Sequence, residues 1–414
     1  MKSEADLLVV GGGFAGLIAA LAAAENNKKT VLITFGAGSL AVGGGVVDLL
    51  GADEANRLVI RPFEHIEKMP KEHPYSLLGV RKVRGALSFF ERITKDYGYP
   101  YISDGVKNSF MVTPIGKLKP TYMFYEKQHS VVLKESQDII ILGVNGLKDF
   151  FPDLLLNGFA RQPLFKNKNF KVINLPSPFH KDWDLTSFEI AAFVTRDEGR
   201  EWFKQTFKKN VPKSTVVIAP PILGIEPEDS VRLELAQSHG AAIIESATLP
   251  PSVLGIRLRK LLIDLLKAKG VAIIEAAKIV SSEVKAKKCL ALFTSDNDRL
   301  RRYSAKEYII ATGGFFGGGA VALPGRAYEA VFNIDFDVPK VQEEWSEKKL
   351  FGVRHPFGAF GVKVDSSLRA IDSSGEPILE NVRFAGRILG GYDFAAEKSG
   401  NGVALVSAYN AARG

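Results

Sequence analysis

The run Leu7-Leu8-Val9-Val10 is unbroken and apolar, and it stops at three glycines. That is the pattern of a strand buried on both faces of a parallel sheet. Phe14 to Glu25 is rich in Ala and Leu and predicts a helix; Asn26-Asn27-Lys28-Lys29 is a polar turn, and residues 30–35 form a second apolar run. Together they predict a βαβ unit at the amino terminus. Residues 36–51 are glycine-rich and poorly periodic, with Ser39, Gly43-Gly44-Gly45 and Asp48 among them. From about 60 to 215, helical and strand-like stretches alternate with many aromatics. Strands are then expected at 216–219, 242–244 and 271–274, with a helix over 253–269 between the last two. A charged hairpin is expected around Val284 and 290–294, and a buried strand at 308–311 ending in Thr312-Gly313-Gly314. The last elements are a strand at 382–385, a glycine-rich turn and a helix over 402–412.

This order predicts an α/β, Rossmann-like flavoprotein fold of the two-dinucleotide-binding type with an inserted substrate or cap domain. The expected boundaries are 1–60 and 215–414 for the dinucleotide domain and 61–214 for the insert, since the first and last segments complete one another.

The glycine clusters carry the chemistry. Gly11-Gly12-Gly13-Phe14-Ala15-Gly16 fits G-x-G-x-x-G, with a strand before it and a helix after it. Gly11 allows the tight turn, Gly13 lets a pyrophosphate approach the backbone, and Gly16 lets helix and strand pack closely. The helix start then offers unpaired N–H groups to phosphate. The pattern departs from its usual form in one respect. No acid occurs from Asn26 to Val47, where one would hold an adenosine ribose. That weakens NAD and conventional FAD alike. FMN has no adenosine and needs no such acid, and in FAD a serine or backbone group could replace it. Candidate cofactor contacts further along are Ser39, Gly44 and Gly45; Thr312, Gly313 and Gly314 at a strand end; Gly386 and Gly391; and Gly400, Asn401 and Gly402 opening the last helix. A late helix start of this kind would favour an anionic reduced flavin.

Composition removes some alternatives. One cysteine, Cys289, allows neither an internal disulfide nor a thiolate-ligated cluster built by this chain alone, and no metal site is expected. The net charge is +8, but the basic residues are spread along the chain with no aromatic-interleaved stripe, so nucleic acid is not an expected partner. No run of 18 apolar residues predicts a bilayer span, and the first residues do not form a secretory signal.

Several stretches are more specific than any glycine pattern: His73-Pro74-Tyr75-Ser76-Leu77-Leu78, Leu249-Pro250-Pro251-Ser252-Val253-Leu254-Gly255-Ile256-Arg257-Leu258, Gly314-Phe315-Phe316-Gly317-Gly318-Gly319 and Leu389-Gly390-Gly391. In these the chain resembles the B subunit of anaerobic glycerol-3-phosphate dehydrogenase over essentially its whole length. The resemblance implies a three-subunit complex, with a dehydrogenase A subunit, an iron–sulfur C subunit and FMN assigned to the B subunit. It also implies oxidation of sn-glycerol 3-phosphate to dihydroxyacetone phosphate, with electrons reaching quinone at the inner face of the cytoplasmic membrane. The candidates for substrate chemistry are Arg257 as an anion contact and Arg354 with His355 as a cation beside a base. Two other readings stay open: a flavin-binding electron-transfer scaffold without substrate chemistry, and a stand-alone FAD oxidoreductase acting on another substrate.

Overall fold

The computed structural model describes residues 5–128, 131–179, 184–296, 299–350 and 352–414. They form two compact units. The first comprises residues 1–39, 47–92 and 262–414, and the second residues 40–46 and 93–261.

The first unit is built on a five-stranded sheet in the order Ala272–Ile274, Thr30–Ile33, Ala5–Val10, Ala305–Ile310, Val382–Phe384. Every neighbouring pair is parallel, and Val9 faces Leu32 on one side and Ile309 on the other. All three are fully buried, as unbroken apolar runs require in a sheet covered on both faces. The helix Phe14–Glu25 is buried from Phe14 through Ala23, which explains its lack of a polar face. It packs on the last helix, Gly400–Arg413.

Two contacts fix the direction of that pair. Lys28 Nζ, just past the end of the first helix, donates to Ala412 O at the end of the last (3.1 Å). A side chain on Gly386, in the turn before the last helix, would lie 2.7 Å from the Ala15 Cβ in the first turn of the first helix. The two helices therefore run the same way, and both amino termini open at the carboxyl edge of the sheet.

The charged hairpin is present as Ile279–Lys285 and Lys288–Asp296, turning through Ala286 and Lys287, both at positive φ. A third antiparallel strand, Arg299–Tyr303, completes this small sheet.

The second unit has its own parallel sheet, in the order Ala242–Glu245, Val216–Ala219, Asp138–Val144, Asn169–Leu175. Apolar clusters cover both faces. At the start of its helix Ser187–Val194, Thr186 and Glu189 form a reciprocal capping box. Here the structure differs from the sequence expectation. The strands Val216–Ala219 and Ala242–Glu245 pair in this sheet and not in the dinucleotide sheet, and 215–261 belong to the second unit, while 61–92 belong to the first. An apolar strand carries the same pattern in either sheet, so its periodicity does not name its partner.

Candidate functional site

The glycine loop is held by backbone packing on every side. A Cβ on Gly11, at φ 126°, would lie 2.1 Å from Ala311 O, and one on Gly16 would lie 1.8 Å from Gly11 O. These distances bring the Ala-Thr-Gly strand end against the loop. Gly13 is the N-cap of the first helix, with φ −80° and ψ −179°, no capping side chain and no acid in the first turn. That leaves the helix start suited to an anion. Thr312 Oγ1 is buried at the same edge with no hydrogen-bond partner. A buried hydroxyl without a partner at this edge is a group that a bound polar ligand would complete. The residues present thus fit the phosphate end of a flavin.

The adenosine side fits less well. Thr34 stands where the second strand ends, and its hydroxyl turns back to donate to Gly36 O (2.9 Å). The chain then crosses onto the glycine loop. A Cβ on Gly12 would lie 2.3 Å from both Gly36 O and Thr34 Oγ1, and one on Gly38 would lie 2.4 Å from Gly13 Cα. Ser39 closes this exposed loop. None of the residues from Thr34 to Ser39 is an acid.

The remaining glycines divide between the two units. Gly386 reaches the first helix as described, and its N–H donates to Ser407 Oγ (2.9 Å). A side chain on Gly314 would come within 3.1 Å of Arg387 Cγ, while Gly313, at φ 81°, lies in an open turn. At the last helix, Gly402 packs so closely on the Asp48 carbonyl and the Tyr75 hydroxyl that a Cβ would lie about 2.5 Å from each. Gly400 and Asn401 precede it in the first turn, after the N-cap Ser399. Gly391, at φ 81°, lies against Glu72 O. Gly44 and Gly45 pack inside the second unit, against Met111 and Leu254, and Gly45 O accepts the Tyr101 hydroxyl (2.6 Å).

The candidates for substrate chemistry are all engaged in structural contacts. Arg257 is 2% exposed and clamps Glu245 through NH1 (2.5 Å) and NH2 (2.9 Å), while its Nε donates to Gly224 O. Arg232 also binds Glu245 (2.8 Å) and bonds Asp229 (2.7 Å). Burial alone would push the Glu245 carboxyl up, but the two guanidinium charges outweigh it and hold it below the usual range. Burial pushes the Tyr99 hydroxyl, beside this network, up to about 12. Arg257 is therefore the anchor of a buried ion network. His355 receives Glu347 N–H at Nδ1 (3.2 Å) and faces Leu350 O from Nε2 (3.2 Å), so both nitrogens staple a loop. Arg354 donates to Asp53 O (3.0 Å).

Sequence reasoning gave too little weight to one cluster. His73, 1% exposed, lies 3.2 Å through Nε2 from Glu397 Oε2. The Ser399 hydroxyl donates to the same oxygen (3.0 Å), and Arg354 approaches the other at 4.0 Å. The His-Pro and Gly-Gly-Tyr stretches, far apart in sequence, meet here. His73 was visible only as a histidine before a proline, and nothing in the sequence marked Glu397.

The family profile described as FAD binding domain matches residues 6–403. The chain is 30% identical over 420 residues to a probable B subunit of anaerobic glycerol-3-phosphate dehydrogenase from Halobacterium salinarum, covering 99% of this chain and 97% of that one. It is 29% identical over 417 residues to the corresponding B subunit of the anaerobic glycerol-3-phosphate dehydrogenase of Vibrio vulnificus, covering 97% and 94%. Among solved structures, the 3-ketosteroid delta1-dehydrogenase of Sterolibacterium denitrificans aligns over 99% of each chain at 12% identity, with a TM-score of 0.45.

Proposed function

This chain belongs to the FAD-binding family that includes the B subunit of anaerobic glycerol-3-phosphate dehydrogenase, and on that premise we propose that it is the flavin-bearing component that supports oxidation of sn-glycerol 3-phosphate to dihydroxyacetone phosphate. It is an oxidoreductase flavoprotein with a Rossmann-like fold. The observation that carries the proposal is the uncapped first-helix start, framed by the glycine loop and the orphaned Thr312 hydroxyl. Bound flavin would supply the capacity to accept two electrons and release them one at a time.

The chain's own contribution is binding and orientation. The first-turn N–H groups from Phe14 to Gly16 would receive the phosphate, and Thr312 would meet an adjacent polar group. The start of the last helix would add a second positive dipole end at the same sheet edge. The Thr34–Gly38 crossing lies against Gly12 and Gly13, and no acid follows the second strand. Both features support FMN over FAD.

A second reading is favoured by a specific observation. Arg257, Arg354 and His355 are all held by protein groups, which supports electron transfer as this chain's task, with alcohol oxidation on a partner dehydrogenase subunit. An iron–sulfur subunit would then pass electrons on to quinone. Among the described residues no helix is long and apolar enough to cross a membrane, so attachment to the inner face of the membrane would come through a partner.

Glycerol 3-phosphate added anaerobically to the purified chain separates the two. Bleaching by the chain alone places the chemistry here. Bleaching only after the partner subunits are added supports the electron-transfer reading. A flavin that substrate never reduces, even in the assembled complex, contradicts both.

A further inference from the structure

The His73–Glu397 cluster lies within the first unit, at the start of the last helix. His73 caps the short helix Pro74–Leu78: its Nδ1 accepts Tyr75 N–H (3.0 Å), which leaves the ring proton on Nε2, facing Glu397 Oε2. Glu397 is 6% exposed. Its carboxylate receives the Ser399 hydroxyl (3.0 Å) and the Asp393 N–H (3.2 Å), and its carbonyl receives Gly51 N–H (2.8 Å) and Ala52 N–H (3.0 Å). Tyr75 and Tyr392 pack their rings on the imidazole at 5.0 and 5.9 Å between centroids. The Tyr75 hydroxyl donates to Leu49 O (2.8 Å), and Gly402 N–H donates to Asp48 O (3.0 Å). The carboxylate thus ties together the His-Pro segment, the turn at 393 and the N-cap of the last helix, while the backbone carbonyl of the same residue holds the 48–52 segment.

A buried carboxylate three residues ahead of a helix N-terminus is an unusual expense if anchoring were its only task. Apolar packing would anchor the same segments without desolvating a charge. Its place has an electrostatic consequence. A negative charge there opposes the positive dipole end that the last helix presents to the carboxyl edge of the sheet.

We propose that Glu397, oriented by His73, is a positioning residue that lowers the reduction potential of the flavin held at that edge. This rests on the flavin reading above. His73 supplies the donor that holds the carboxylate in place, and Ser399 couples the carboxylate to the helix start. The carboxylate itself offsets part of the helix field that would otherwise favour an anionic reduced flavin. The result is a flavin that gives up electrons more readily.

The test is a spectroelectrochemical titration of the flavin in the purified full chain, comparing wild type with E397Q, E397D, H73L and H73Q. E397Q removes the charge at nearly constant shape. It is expected to raise the potential, equivalent to reduced flavin binding about two- to fivefold tighter relative to oxidised flavin, the range for one charge near a helix end. E397D keeps the charge and returns toward wild type. H73L shifts the potential in the same direction as E397Q, because the carboxylate loses the Nε2–H donor that holds it beside the helix start. H73Q, which keeps an N–H donor, stays near wild type. A purely structural role would change flavin content or melting temperature without this ordered pattern. If E397Q does not fold, the contrast between H73L and H73Q reads the same quantity. Equal potentials in wild type, E397Q and H73L overturn the proposal, as does a downward shift in E397Q. A wild-type chain that folds without flavin overturns the underlying flavin reading instead, a different result seen before any titration.

Discussion

Gly16 has no room for even one more carbon, because its Cβ would lie 1.8 Å from the Gly11 carbonyl oxygen. G16A must push the first helix away from the first strand. It is expected to lose both flavin and a large part of its thermal stability, measured by absorbance after gel filtration and by calorimetry. Gly13 is different. It has ordinary helical-entry angles, and the nearest atom to an added Cβ is 3.7 Å away. A side chain there can be tolerated by the fold while confronting a phosphate. Glu329 makes a separate prediction at this scale. It is fully buried on a hairpin strand and accepts N–H bonds from Val331 and Phe332 (2.8 Å each). Burial raises its carboxyl from 4.5 to about 7. The folded state therefore holds the proton more tightly than the unfolded chain does. This contribution to stability is complete below pH 4.5 and is lost as pH rises to about 7. The loss is roughly 3 kcal/mol at one unit per 1.36 kcal/mol. Urea unfolding of wild type and E329Q across that window should show a pH-dependent component in the wild type that E329Q lacks; identical pH profiles would contradict it.

Between elements, the helix Val253–Ala268 is pinned to the strand Ala242–Glu245 by the bidentate Arg257–Glu245 pair, with Arg232 sharing the Glu245 Oε2. Removing Glu245 strands two buried guanidinium groups. E245L is expected to destabilise the second unit by about 3–5 kcal/mol in chemical unfolding. The same network shows what a sequence reveals and what it hides. The stretch around Arg257 was recognisable as specific, but specificity of sequence does not distinguish a ligand contact from an internal ion pair. The distinction lies with Glu245, twelve residues away on a strand read only as apolar. In the same way His73 was legible as a histidine before a proline, while its partner Glu397 lies 324 residues further on. The glycine loop was legible because all its constraints are local: a strand, three close backbone approaches and a helix follow one another within a short stretch of chain. Gly386 and Gly402 take their places through long-range packing, one against the first helix and one at the start of the last.

For the molecule as a whole, the parallel dinucleotide sheet could be read from its apolar runs, and the three-segment order of fingerprint, Ala-Thr-Gly strand end and last helix gave the fold type. The division into units was not readable in the same way. Strands 216–219 and 242–245 are as apolar as the true dinucleotide strands, and only their pairing with Asp138–Val144 assigns them to the second unit. Two of the cations that make up the charge of +8, Arg354 and Arg387, are tied to the backbone carbonyls of Asp53 and Gly358. Two helix starts lie at one edge of the first unit's sheet, and Thr312, whose buried hydroxyl has no hydrogen-bond partner, follows the strand that ends there. The most direct test is to denature the purified full chain and identify and count the released flavin by mass, alongside G13D. The account predicts about one flavin per wild-type chain and almost none from a G13D chain that melts near the wild-type temperature. A well-folded wild-type chain that releases no flavin, or a G13D chain that retains it in full, would contradict the claim that the first helix start grips its phosphate.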